Sequence, residues 1–193
     1  MNKTETTSVV LVGVGGQGIL LASEITARAA MLAGLDVKTN EVHGMAQRGG
    51  SVIAQIRYGR KVHSPLVADG TARVLCSLER IEALRYRHYL APDGLAVVSD
   101  QAIVPVTVSM GMATYPDQAE AELRRVFPRL VYVPAVEQAT ALGEIRAANV
   151  ILVGRLSAAL DLPLEAWHES LRACVKPKFF DVNLTAFKIG REL

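Results

Sequence analysis

Residues 9–34 read VVLVGVGGQGILLASEITARAAMLAG. Val9 to Val14 is an apolar, β-branched run, the pattern of a buried strand. Glycines follow at Gly13, Gly15, Gly16 and Gly18. From Ile19 onward Ile19, Leu20, Ala22, Ser23, Ala27, Ala30 and Met31 recur at helical spacing, and Gly34 supplies a C-terminal stop. Asp36 to Val42 reads as a second strand. Strand, glycine turn, helix and strand together predict a βαβ unit.

Working outward, His43 to Gly50 reads as a loop, HGMAQRGG, and Ser51 to Tyr58 as a strand. Gly59 turns the chain, and Lys61 to His63 can return as a hairpin arm. Strands are expected at Ala72–Leu78, Leu95–Ser99 and Leu130–Val133. Helices are expected at Glu79–Leu90, Pro116–Val126, Ala135–Leu142, Ala147–Leu160, Leu164–Val175 and Asn183–Ile189. Gln101 to Thr114 is Pro-broken and reads as strand or loop. Strands alternating with helices predict an α/β fold of three layers, a mostly parallel sheet with helices on both faces. The 193 residues fit one domain, 1–193, and show no repeat, linker or low-complexity tract.

The charge balance is 21 basic against 19 acidic residues, a net +2, which gives no case for a nucleic-acid surface. There are two cysteines, Cys76 and Cys174. A [4Fe–4S] cluster takes four thiolates, so this chain cannot hold one in the usual way. No metal-ligand spacing is present. The start, MNKTETTS, has no apolar core of a signal peptide, and free thiols suit the reducing cytoplasm. The apolar run Ala147 to Leu160 is too short to span a membrane, and Gly154 and Arg155 interrupt it.

Gly13-Val14-Gly15-Gly16-Gln17-Gly18 matches G-x-G-x-x-G in the required context, after a strand and before a helix. Helix-start amides and the helix dipole favour an anion there. A dinucleotide also wants an acid at the second strand, for which Glu41 or Asp36 could serve. Gln17 brings a polar amide into a loop that dinucleotide sites keep small. Phosphate or cofactor contact, subunit contact and plain close packing are all open for this turn.

His43, Gln47 and Arg48 place three polar side chains in one loop, freed by Gly44, Gly49 and Gly50. Arg48 can offer a guanidinium fork to a carboxylate or phosphate, and His43 can titrate near neutrality. The loop leaves the carboxyl end of a strand, where α/β sheets bind ligands. Asn149 opens an apolar helix run, where its amide needs partners. No Ser-His-Asp or Cys-His signature stands out, no Tyr-x-x-x-Lys pair is present, and no residue is assigned a catalytic role. His63, His88 and His168 are isolated, Trp167 reads as a core anchor, and Cys76 and Cys174 read as buried and inert.

Three segments in order carry a resemblance: GVGGQGILLAS at 13–23, VHGMAQRGGSV at 42–52 and RAANVILVGRLS at 146–157. With SPL at Ser64–Leu66, ALRY at Ala83–Tyr86 and N-x-x-A-F-x-x-G at Asn183–Gly190, the chain resembles the gamma-type component of 2-oxoacid:ferredoxin oxidoreductases, nearest the indolepyruvate type. The resemblance implies a Rossmann-like fold. It also implies an accessory subunit, inactive alone, of a complex that oxidatively decarboxylates aryl pyruvates to aryl-acetyl-CoA. Thiamine diphosphate, magnesium and the [4Fe–4S] clusters are then expected on a large partner subunit, with coenzyme A as co-substrate and ferredoxin as acceptor. No thiamine-binding G-D-G…N-N motif is present here. Gly13, Gly15, Gly16, Gln17, Gly18, His43, Gln47, Arg48, Gly49, Gly50 and Asn149 are the positions expected to face the partner or the coenzyme A phosphates. The alternatives are a pyruvate, 2-oxoglutarate or phenylglyoxylate type complex, a free-standing NAD(P)-binding oxidoreductase, or a regulatory nucleotide-binding domain. An orphan subunit should expose an apolar docking patch and self-associate, as a homodimer.

Overall fold

The computed structural model of the chain describes residues 6–44, 49–116 and 118–193. In chain order the elements are β1 (Thr7–Val14), α1 (Ile19–Leu32), β2 (Asp36–His43), β3 (Ser51–Gly59), β4 (Ala72–Ser77), α2 (Arg80–Arg85) and β5 (Leu90–Ser99). There follow α3 (Val106–Ser109), α4 (Ala119–Val126), β6 (Leu130–Val133), α5 (Ala135–Ala141), α6 (Ala148–Ser157), α7 (Leu164–Cys174) and α8 (Phe180–Glu192). The six strands form one sheet in the order β2-β3-β1-β4-β5-β6. β1, β4, β5 and β6 run parallel. β3 is antiparallel to both β1 and β2.

The expected βαβ unit is therefore split. β1 and β2 point the same way, but β3 lies between them. Burial preference explains the order. SVIAQIRYG of β3 is buried at seven of nine positions, whereas DVKTNEVH of β2 has no buried residue. The apolar strand takes the inner place and the polar strand takes the edge.

Alternation along β1 sorts the two layers. Val9 and Leu11 face a core built with α1, α6, α7 and α8. Val10 and Val12 face a smaller core with Ala83 of α2 and Leu123 and Phe127 at α4. Trp167 is fully buried in the first core, its ring 5.9 Å from that of Phe187, as an anchor should be. α1 ends as its glycine implies: Gly34 adopts φ 77°, its N–H meets the Met31 carbonyl at 2.9 Å, and the Leu35 N–H meets the Ala30 carbonyl at 3.2 Å. The interruption at Gly154 has a packing cause. A Cβ there would overlap the Phe187 carbonyl oxygen, and one on Gly190 would overlap that of Ile151. α6 and α8 cross backbone to backbone at these two glycines.

Four local expectations change. Lys61 to His63 forms no strand, because the Val62 N–H is taken by the Asp36 carboxylate at 2.8 Å. The helix expected over Glu79–Leu90 stops at Arg85, and a 3₁₀ turn at Arg87–Tyr89 leads into β5, which already starts at Leu90. β5 absorbs Pro92-Asp93-Gly94 as an irregularity, its register against β4 shifting between Ala72 and Val74. Gln101–Thr114 contains the one-turn helix α3.

Candidate functional site

The carboxyl ends of β1, β4 and β5 open into a cleft of about 610 Å³. One wall is the glycine loop and the start of α1: Gly15, Gly16, Gln17, Gly18 and Leu21. The facing walls are Ser99, Gln101 and Ile103 after β5, and Ile145, Arg146, Asn149 and Leu152 around the start of α6. This is the edge where open α/β sheets bind ligands.

The glycine loop is held from within. The Gln17 side chain folds back over Gly13, accepting from the Val14 N–H at 2.7 Å. Its amide nitrogen donates to the Leu78 carbonyl and to Gln101 Oε1, each at 2.7 Å. A Cβ on Gly13 would stand 2.7 Å from Gln17 Oε1 and 3.1 Å from Leu78 Cβ, so a side chain at this position would have to displace the Gln17 amide. Gly18 caps α1 at φ 82°, and the Asn149 side chain of α6 donates to its carbonyl at 3.1 Å. Asn149 is 4% exposed, and its Oδ1 has no hydrogen-bond partner.

Among the described residues, the second loop docks on the first through its backbone. Gly15 N–H donates to the Gly50 carbonyl at 2.8 Å, and Gly49 N–H donates to the Gly15 carbonyl at 3.3 Å. Gly49 reaches this position at φ 79°. The structure thus brings Gly13, Gly15, Gly16, Gln17, Gly18, Gly49, Gly50 and Asn149 together. His43 is exposed at the end of β2, outside the cleft lining. Gln47 and Arg48 lie outside the described residues.

Neither acid suggested for a ribose hydroxyl is placed for it. Asp36 starts β2, at the end of the strand away from the glycine loop, and is engaged by Lys38 Nζ at 2.7 Å and Val62 N at 2.8 Å. Glu41 pairs with Ala54, which pairs with Leu11, so it stands two strands from β1, roughly 10 Å away at ordinary strand spacing. The inserted β3 removes the dinucleotide geometry that the glycine motif suggests.

Sequence reasoning did not single out a buried carboxylate beside the cleft. Glu79 is 2% exposed and caps α2, its Oε2 accepting from the Ile81 N–H at 2.7 Å and the Glu82 N–H at 3.0 Å. Its Oε1 accepts from the Tyr115 hydroxyl at 2.7 Å and the Ile103 N–H at 3.2 Å. The readable signal was its place directly ahead of an amphipathic helix. Glu82, also buried, accepts from Ser51 Oγ at the start of β3, and Tyr86 Oη sits 3.0 Å from the same hydroxyl. Burial pushes the Glu82 carboxyl above the usual glutamate range, against the pull of Ser51 and Arg85. This pair fixes the chain where it leaves the HGMAQRGG loop.

The polar groups lining the cleft are side-chain amides, Ser99, backbone amides and Arg146. Arg146 is exposed at the rim, bound to Glu144 through two contacts of 2.8 Å and stacked 5.0 Å over the Phe179 ring. Amides neither ionise nor carry protons near neutral pH, so the Gln17, Gln101 and Asn149 side chains offer hydrogen bonds rather than proton transfer. Among the described residues no three His, Cys, Asp or Glu side chains converge as a metal would need.

Residues 8–193 match the family described as pyruvate ferredoxin/flavodoxin oxidoreductase. The chain is 46% identical over 187 residues to the indolepyruvate oxidoreductase subunit IorB of Archaeoglobus fulgidus, covering 95% of this chain and 92% of that protein. To the same subunit of Pyrococcus horikoshii it is 43% identical over 190 residues, covering 95% and 93%. The fold is shared with the keto/oxoacid ferredoxin oxidoreductase gamma subunit of Geobacter sulfurreducens (TM-score 0.70, 21% identity, 96% of each chain). It is also shared with 31% of a chain of the 2-oxoglutarate:ferredoxin oxidoreductase of Magnetococcus marinus (TM-score 0.74, 20% identity, 98% of this chain). A six-stranded mixed sheet, a glycine loop locked by its own glutamine, and close likeness along nearly the whole chain meet in one conclusion: the chain belongs to the pyruvate ferredoxin/flavodoxin oxidoreductase family.

Proposed function

We propose that the chain is the accessory subunit of a cytoplasmic indolepyruvate:ferredoxin oxidoreductase, inactive alone. The observation that carries this is the 46% identity to an indolepyruvate oxidoreductase subunit over 95% of the chain, against 26% to a 2-oxoglutarate synthase subunit of Methanothermobacter thermautotrophicus. The reaction is oxidative decarboxylation of an aryl 2-oxoacid. It consumes coenzyme A and yields an aryl-acetyl-CoA, carbon dioxide and two electrons for ferredoxin. Thiamine diphosphate, magnesium and the [4Fe–4S] clusters belong to the large partner subunit. Two cysteines, one of them fully buried, do not fit a cluster here.

This chain's own part is to bind and orient. The first-turn amides of α1 suit the coenzyme A phosphates, with Arg48 as their cation, while the Val14, Gly15 and Gln17 amides are engaged in holding the loop itself. Leu20, Val104, Met110, Met112 and Ile145 are exposed apolar residues on α1, on the segment after β5 and ahead of α6, and they suit a docking face. Without the partner that face supports self-association into a homodimer.

The test is reconstitution with the large subunit. Arg48→Ala should raise the Michaelis constant for coenzyme A or weaken assembly. Normal assembly with an unchanged constant overturns the placement of Arg48. A chain that never associates with a thiamine- and cluster-bearing subunit overturns the function itself.

A further inference from the structure

The segment after β5 leaves the sheet at Gln101 and returns at Tyr115. No residue in 101–105 or 107–115 is buried, so core packing does not hold it. Its two ends converge on one group. The Ile103 N–H and the Tyr115 hydroxyl both donate to Glu79 Oε1, at 3.2 and 2.7 Å. Beside them Arg80 N–H donates to the Gln101 carbonyl at 3.1 Å, and Arg80 Nε donates to the Tyr115 oxygen at 3.0 Å. The segment is an Ω-loop whose neck is tied by a buried carboxylate.

We propose that Glu79 is a positioning residue of the cleft, holding the 101–115 loop in place as the wall that faces the glycine loop. The link to the opposite wall is direct. Gln101 Oε1, at the neck, accepts from Gln17 Nε2 at 2.7 Å, and Gln17 in turn holds the Val14 N–H and the Leu78 carbonyl. Ile103, the other neck residue, lines the same cleft. Glu79 is well suited to the task. It is rooted in α2 by two backbone amides, so its second oxygen has a fixed direction. Burial in the first place pushes the Tyr115 hydroxyl up to about 12, so it stays a donor through the working pH range. Loosening the neck frees Gln101 and unlocks one of the three bonds of Gln17. For ligand binding the inference rests on the reading of the cleft as the coenzyme A contact; for the coupling of the two loops it does not.

The experiment uses Tyr115→Phe, which removes a neck bond and leaves the α2 cap intact, beside Glu79→Gln, which weakens both. Hydrogen exchange on the full chain should quicken roughly tenfold across 101–115, the scale of losing one hydrogen bond to a charged group, and should also rise at 13–18. Exchange that rises only in the first turn of α2, or uniformly over the chain, or not at all, overturns the coupling. In the complex with the large subunit, Tyr115→Phe should raise the Michaelis constant for coenzyme A several-fold, with kcat within about twofold. A fall in kcat at an unchanged constant overturns the positioning role. The exchange measurement needs no ligand and no partner, so it decides the coupling even if the subunit assignment fails.

Discussion

The Asn149 side chain donates to the Gly18 carbonyl at 3.1 Å, tying the start of α6 to the start of α1 across the cleft. A Cβ on Gly18 would overlap that same Asn149 amide nitrogen. The two positions fit only as a pair, because the close approach makes the bond and excludes the side chain. Asn149→Asp replaces the donor with an acceptor against a carbonyl. It should lose about 1–3 kcal/mol of stability at neutral pH, and less once acid protonates the new carboxyl. Urea unfolding at both pH values checks this; equal losses at the two would contradict it.

Gly18→Ala adds two costs. The left-handed backbone at φ 82° costs a residue with a Cβ about 1–2 kcal/mol, and the overlap with Asn149 comes on top. Pairing it with Asn149→Ala should recover only the second part. A double-mutant cycle separates the two, and full recovery would show that backbone conformation contributes nothing.

Gly154 and Gly190 allow α6 and α8 to touch through their backbones. Either change to alanine forces the helices apart and should cost about 1–3 kcal/mol or more by overpacking. The double variant should cost less than the sum, since one separation accommodates both methyl groups. Thermal unfolding of the three variants measures it.

Glu82 makes stability depend on pH with a definite sign. Burial raises its folded pKa above the ordinary 4.5, so the folded state holds the proton that the unfolded state releases. Stability should therefore fall as pH rises from about that ordinary value through the raised one. The groups facing it are Ser51, Arg85, Tyr86 and Glu79. Glu82→Gln keeps an acceptor for Ser51 and removes the titration, so the difference between wild type and variant should shrink below the ordinary value. A difference that is flat with pH would contradict the assignment.

The two thiols should behave differently. Cys76 is fully buried on β4, and burial pushes its thiol up to about 12, whereas Cys174 at the end of α7 is half-buried. A thiolate reagent should modify Cys174 slowly in the native chain and reach Cys76 only on unfolding. Mass spectrometry of native and urea-treated chains distinguishes them.

By itself the sequence determined the elements and the family. Period-two and period-3.6 patterns depend on local burial, so β1, α1, β2, β3, β4, β6, α5 and α7 are legible within a residue or two, while α6 ends at Ser157, three residues before the expected Leu160. The motifs around Gly13–Gly18, Val42–Gly50 and Asn149 could be matched in order without a structure. Strand order is a long-range outcome. Only the folded chain showed that the apolar β3 displaces the polar β2 from the side of β1, leaving Glu41 two strands from the glycine loop and Asp36 at the far end of its strand. Nor does spacing reveal that Gln17 turns inward to Leu78 and Gln101, or that Glu79 ties Ile103 to Tyr115. Those contacts join residues 61, 84, 24 and 36 positions apart. Their geometry exists only once the sheet has brought the carboxyl ends of β1, β4 and β5 to one edge.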